Sequence, residues 1–248
     1  MKIYAVGAEI YSFSSNGKIS KFDSRSKNIT PVSELSKDFG SIISISYSDS
    51  ANAFYLYTDK KKLAKVDLTT NTITDVTIGD TTGAWEEAVS MATFSSNIYL
   101  LDSAAGQIWK HSVVDAGYSK GVAYLSKPTI PIKDSRSLII DGDVYVLKSD
   151  GSVVKISKGV ENTSFAISAP PTPDNKITDG KKILTTADSN SLYILDAGSN
   201  RVLEYTKTGS YKRQFVANTD LKLTDFTLNS KLKKLWLISA NKVFELDL

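Results

Sequence analysis

Ser191-Leu-Tyr-Ile-Leu-Asp-Ala-Gly-Ser-Asn-Arg-Val-Leu-Glu-Tyr205 is the stretch whose reading decides the rest of the chain. Residues 192–195 form a continuous apolar run, as a strand buried on both faces requires, and residues 196–200 supply a turn of small and polar side chains. Residues 201–205 then return as the second strand of a hairpin.

Five looser copies follow the same plan, with first strands at 10–13, 54–57, 98–101, 144–147 and 235–238. The second position of the run is aromatic every time: Tyr11, Tyr55, Tyr99, Tyr145, Tyr193 and Trp236. Successive spacings are 44, 44, 46, 48 and 43 residues, the period of a four-stranded propeller blade. Return strands keep step at 19–21, 63–65, 108–110, 153–155, 202–204 and 243–245. The expected fold is therefore all-β: a six-bladed β-propeller of four-stranded antiparallel blades in a single domain, 1–248. Its blades fall at about 1–35, 41–78, 88–127, 135–168, 180–217 and 222–248.

Inner strands are expected at 2–6, 42–47, 89–94, 138–140, 182–186 and 223–228. Outer strands are expected at 28–32, 72–78, 121–125, 163–167 and 211–216, which leaves the last blade without an outer strand of its own. An open strand edge exposes unpaired backbone groups, so two readings arise: a three-stranded sixth blade, or a fourth strand supplied from upstream of Met1. The second is preferred at this point and makes the chain part of a larger protein. In either case the ends of the array should pack together, with Ile3, Val6 and Ile10 meeting Phe226, Leu228 and Leu237. Turn sequences at Ser15-Asn-Gly17, Ser149-Asp-Gly151 and Thr208-Gly209 support the hairpins. The proline-rich segment 168–176 reads as a stiff loop between blades, because the repeat resumes in phase after it. Residues 83–89 tolerate at most a turn or two of helix.

The composition excludes several kinds of chemistry. With no cysteine and one histidine, thiol catalysis, disulfides and multi-imidazole metal sites are ruled out. Thirty basic against 27 acidic residues make a mixed surface, not a nucleic-acid-binding one. Lysines at 60–62, 181–182, 231, 233 and 234 fall at turns and strand starts and are read as solvated. His111 occupies the position held by Phe22, Val66, Ile156 and Tyr205 in other repeats, so it is read as a packing residue.

Residues 192–211 resemble an NHL repeat in their order of strand, Asp, small residues, Asn-Arg, second strand and Gly-containing turn. The remaining copies keep the apolar skeleton, so the likeness is to the wider class of six-bladed NHL-like propellers. That resemblance implies a protein that binds partners; some relatives bind RNA, and some bacterial ones form the sensor part of membrane-anchored signalling kinases or phosphatases. A sensor of that kind would stand outside the cytoplasm. Residues 101–109 also invite comparison with the Asp-box of sialidases, but Ala105 stands where the aspartate belongs, and Trp109 is read as blade packing.

In such a ring the connections between blades converge on one mouth of the axial channel. They bring Phe39, Trp85, Glu86, Glu87, Lys133, Asp134, Asp179 and Asp225 forward as the candidate binding residues. Trp85, in a long loop with no packing pattern to claim it, is the strongest single candidate. No catalytic residue, metal ligand or cofactor is assigned. The leading expectation is a non-enzymatic, monomeric sensor or recognition module taking a protein or small ligand at the channel mouth, with no nucleic-acid partner and no membrane insertion. The alternative is a lactonase-type hydrolase with a calcium ion held by acids such as Glu86, Glu87, Asp134 or Asp179.

Overall fold

The computed structural model describes all residues except 24, 80–84, 86, 128, 173, 187, 219 and 241. It is a six-bladed β-propeller. Five blades have four antiparallel strands and the sixth, Leu223–Asn229, Lys234–Ser239 and Lys242–Asp247, has three. The inner strands are Lys2–Val6, Ile42–Ser48, Ala88–Phe94, Ser135–Asp141, Gly180–Leu184 and Leu223–Asn229, numbered here as blades 1 to 6.

Strand pairing bears out the repeat alignment residue by residue. The six aromatics stand opposite Lys21, Lys65, Lys110, Lys155, Glu204 and Glu245. Second strands such as Ala53–Thr58 and Ser191–Asp196 are buried at every position, because each blade is covered by a neighbour on both faces. Two second-to-third-strand turns need glycine for the reason the sequence suggests. Gly17 and Gly151 have φ of 88° and 86°, and a Cβ there would lie 2.6 Å from the Leu35 carbonyl oxygen and 2.3 Å from the Ile177 Cβ.

Outer strands follow the expectation less closely. Ile29–Glu34, Thr72–Asp75, Val122–Ala123 and Tyr211–Val216 overlap the expected segments, but blade 4 closes with Val160–Glu161, ahead of residues 163–167. The short turn at Lys158-Gly159, with φ of 51° and 82°, brings the chain back at once. Blade 3 carries an unanticipated hairpin, Val113–Val114 with Gly117–Tyr118. The three-residue 3-10 helix Lys37–Phe39 was also unanticipated. Of the segment read as tolerating a helical turn, residues 83, 84 and 86 lie outside the described residues, and 88–94 is strand.

The core is a ring of six apolar clusters, each lying between two adjacent blades. The seam between blades 6 and 1 is made by Ile3, Ile10, Trp236 and Ile238. Ends of the array therefore do meet, with Ile3 and Ile10 at the seam as expected, but against Trp236 and Ile238 in place of the expected Phe226, Leu228 and Leu237. Phe226, Leu228 and Leu237 face blade 5, and Val6 packs toward blade 2. Successive strand residues point to opposite faces, so a one-residue error in facing exchanges the whole set. Among the described residues this seam has the fewest buried side chains, and it borders a hollow of about 420 Å³ beside Val243 and Glu245 of the last strand.

The hairpin at residues 191–205 works as a brace. Arg201 and Asp196 form a fully buried ion pair at 3.0 Å. The remaining guanidinium nitrogens donate to carbonyls of Pro171, Asp174 and Lys176, which pins the proline-rich loop. Burial pushes the Asp196 carboxyl up, but backbone N–H groups of Asp179 and Thr178, with Arg201, outweigh it and hold the carboxyl below its ordinary value. Nearby, Glu204 is buried and takes hydrogen bonds from Ser191, Lys212 and Arg213. Burial raises its pKa, yet these donors bring the net value down to about 2.

Three outcomes follow from this packing. Trp236→Ala, at 1% exposure, should cost about 3–5 kcal/mol in chemical denaturation, with hydrogen exchange rising first in blades 1 and 6. Arg201→Met leaves Asp196 buried and unpaired and should cost about 3–5 kcal/mol, with protease cleavage appearing in residues 168–176. Glu204, depressed from 4.5 to about 2, contributes stability above pH 4.5 that is lost as pH falls toward 2. In Glu204→Gln the decline in melting temperature across that interval should be shallower.

Candidate functional site

The six inner strands enclose an axial cavity of about 210 Å³. One polar ring lines it. Lys2, Ser44, Ser90, Ser137, Lys182 and Asp225 each stand opposite the residue two beyond the blade's aromatic, so they share one level around the axis. Sequence reading missed this ring, apart from Asp225.

Five of the six ring side chains tie their own blade to the next. Ser44 Oγ accepts from Met91 N at 2.9 Å, Ser90 Oγ from Leu138 N at 3.2 Å, and Ser137 Oγ from Ile183 N at 3.3 Å. Lys182 Nζ donates to the Phe226 carbonyl at 2.8 Å, and Asp225 Oδ2 accepts from Ile3 N at 2.8 Å. Lys182 also pairs with Asp225 Oδ1 at 2.7 Å. Lys182 was expected to be solvated; it lies partly buried because its ammonium replaces water with the Asp225 carboxylate and two main-chain carbonyls.

Just before each of these residues, five blades carry a β-bulge whose extra residue is Ile43, Val89, Arg136, Lys181 or Thr224. A bulge turns two consecutive side chains toward the same side, and here both line the cavity. Arg136 and Lys181 are thereby brought to the mouth above the ring. Lys181 is held by Asp179 at 2.9 Å.

The Lys2 ammonium is different. It makes no hydrogen bond or ion pair among the described residues. Burial lowers its pKa from the ordinary lysine value; Asp225 acts to raise it and neighbouring Lys182 lowers it further.

The residues singled out from the sequence are spread around the ring. Asp225 is 5% exposed in the channel and Asp179 sits at its rim. Phe39 is buried between blades 1 and 2, with the Lys62 ammonium 5.3 Å from its ring centre. Trp85 is half-buried, its ring edge-on to His111 with centroids 5.0 Å apart. These two aromatics share a separate hollow of about 230 Å³ with Leu63 and Val76. Glu87 is exposed, and its backbone N–H donates to Asp102. Lys133 and Asp134 are exposed, Lys133 beside Gly106 in the turn of blade 3 and Asp134 with its carbonyl accepting from Ser149 N of blade 4. Glu86 lies outside the described residues.

His111 packs as expected: fully buried, with Nδ1 2.9 Å from the Ser119 carbonyl oxygen. Burial pushes its pKa down, partly countered by that hydrogen bond. Among the described residues no three His, Cys, Asp or Glu side chains gather where they could hold a metal ion.

No family model and no curated protein matches the chain. Solved structures do. A streptogramin B lyase matches with a TM-score of 0.65 at 14% identity, covering 98% of this chain and 91% of that one. A structure of a nidogen/laminin complex matches with a TM-score of 0.68 at 14% identity, covering 97% of this chain and 89% of that one. The extracellular domain of a protein described as a one-component system from B. thetaiotaomicron gives 0.62 at 13% identity, covering 99% of this chain and 35% of that one. At such identities the likeness establishes the β-propeller fold and nothing finer.

Proposed function

We propose that this propeller is a binding module whose recognition site is the axial channel and its bulge-lined mouth, serving as the sensor or recognition part of a larger protein. One observation carries the reading: all six blades converge on a single cavity, and charged side chains that the fold does not use, Lys2 and Arg136, line it. Concave sites with a few convergent polar groups are where small ligands bind. A one-component system's extracellular domain with this fold gives a precedent for the role. The hydrolase reading named Glu86, Glu87, Asp134 and Asp179; Glu86 lies outside the described residues, and among those described no three such side chains gather as a metal site.

The test is a thermal-shift screen of a metabolite library against the protein and a Thr224→Trp variant. Thr224 is exposed at the mouth, so the indole should fill the channel without disturbing the blades. A ligand at 100 times its Kd stabilises the folded state by about 2.7 kcal/mol. Hits should lose their shift in the variant while its ligand-free melting temperature holds. Hits that survive the plug, or that mass spectrometry finds converted to product, would overturn the reading.

A further inference from the structure

The charges around the channel do not balance, and the imbalance has a sign. Asp225 is fully committed: one oxygen to Lys182, the other to Ile3 N. Lys181 is paired with Asp179 at the rim. What remains is cationic. Lys2 at the ring and Arg136 at the bulge above Ser137 line the same cavity, and neither forms a hydrogen bond or ion pair among the described residues.

The serine side of the ring points the same way. Ser90 and Ser137 accept main-chain N–H groups through Oγ. A hydroxyl that accepts can still donate its own proton, and neither of these two has a protein acceptor for it among the described residues. Facing the cavity, then, are a half-buried ammonium, a guanidinium and two hydroxyl donors, while the one carboxylate of the ring is already neutralised.

Lys2 is the informative residue. At the equivalent position the other five blades use the side chain to tie neighbouring inner strands together; Lys2 makes no such tie. Holding a partly desolvated ammonium beside Lys182 costs free energy that a serine there would not cost. Cost without a structural return is the mark of a site that gains its counter-charge from outside.

We propose that the channel receives a small anion, the carboxylate or phosphate group of a compact metabolite, gripped by Lys2 and Arg136 and by the Ser90 and Ser137 hydroxyls. This rests on the binding-module reading above and specifies its ligand class. A cavity of about 210 Å³ lies below the usual range for drug-sized ligands, about 300–1,000 Å³, which confines the occupant to a few heavy atoms or to the anionic end of a longer molecule. Bidentate donation from Arg136 and point-charge attraction from Lys2 suit both carboxylate and phosphate oxygens.

Binding is measured by calorimetry and thermal shift with inorganic phosphate, acetate and succinate at constant ionic strength, using choline and glucose as cationic and neutral probes. At least one anion should bind and raise the melting temperature. Lys2→Met should weaken that binding about 10-fold or more, the scale of a lost charge-assisted hydrogen bond. Its ligand-free melting temperature should stay level or rise, because an unpaired ammonium has been removed. Arg136→Gln, at an exposed position, gives a second variant whose folding is not in question and should also weaken binding. Lys60→Met, away from the channel, should bind as the parent does. Phosphate against carboxylate preference tells which anionic group is the ligand. The proposal is overturned if no anion binds, or if anions bind equally to all variants. It also fails if only choline or glucose binds and Thr224→Trp abolishes that binding, an outcome that leaves the binding-module reading intact and removes the anion.

Discussion

The inner strand of each blade pairs with only one neighbour in its own sheet, so its other edge carries backbone N–H and C=O groups facing the next blade with no ladder to join. Unpaired groups at this depth each cost as much as a lost hydrogen bond. Ser44, Ser90, Ser137, Lys182 and Asp225 answer the problem by reaching sideways to the main chain of the adjoining blade. Ser46 and Thr227 repeat the device one level away, their hydroxyl oxygens accepting from Thr93 N and Ala5 N. Apolar clusters between blades press the sheets together without fixing how far one slides past another. The side-chain-to-main-chain bonds are directional, and they set that register around the axis. The cavity's shape depends on them.

Closure of the ring draws on the same device. At the seam between blades 6 and 1 the apolar contact is slight, four buried side chains beside a large hollow, but three side-chain bonds cross it: Asp225 to Ile3 N, Thr227 to Ala5 N, and Asn229 to the Gly7 carbonyl. Polar bonding there compensates for thin packing. Such bonds contribute about 0.5–1.5 kcal/mol each, less than burial supplies elsewhere, so this seam is where local opening should begin.

The blades were legible in the sequence because their cause is local. An aromatic in a doubly buried strand recurs once per blade, and its cross-strand partner at a fixed pairing distance confirms it, from Tyr11 with Lys21 to Trp236 with Glu245. The polar ring was not legible although it is just as regular in space. Its members precede the aromatic by 9, 11, 9, 8, 11 and 11 residues, because the intervening turns differ in length, and so no fixed offset marks them. Bulges hide it further by shifting the strand's alternation by one residue immediately before the ring. Lys182 therefore looked like the second lysine of a solvated pair. The packing of Trp85 was not legible for a different reason: its partner His111 is supplied by a strand remote in sequence, and no single-chain pattern announces such a contact.

What separates scaffold from site in this molecule is a comparison the structure makes within itself. Blades 2, 3 and 4 show that a serine suffices to bind the neighbouring inner strand, at no cost in buried charge. Blades 5 and 6 perform the same linkage with a lysine and an aspartate, whose desolvation must be offset by pairing with one another. Blade 1 places a lysine at the position and performs no linkage among the described residues. The inter-blade linkage recurs in five of the six blades, while the charged members of the ring fall in three consecutive blades, 5, 6 and 1, with Arg136 of the adjoining blade 4 at the mouth above them. Symmetry explains the serines. The departure from it has no counterpart in the linkage of the blades, and it is this departure on which the proposed anion site rests.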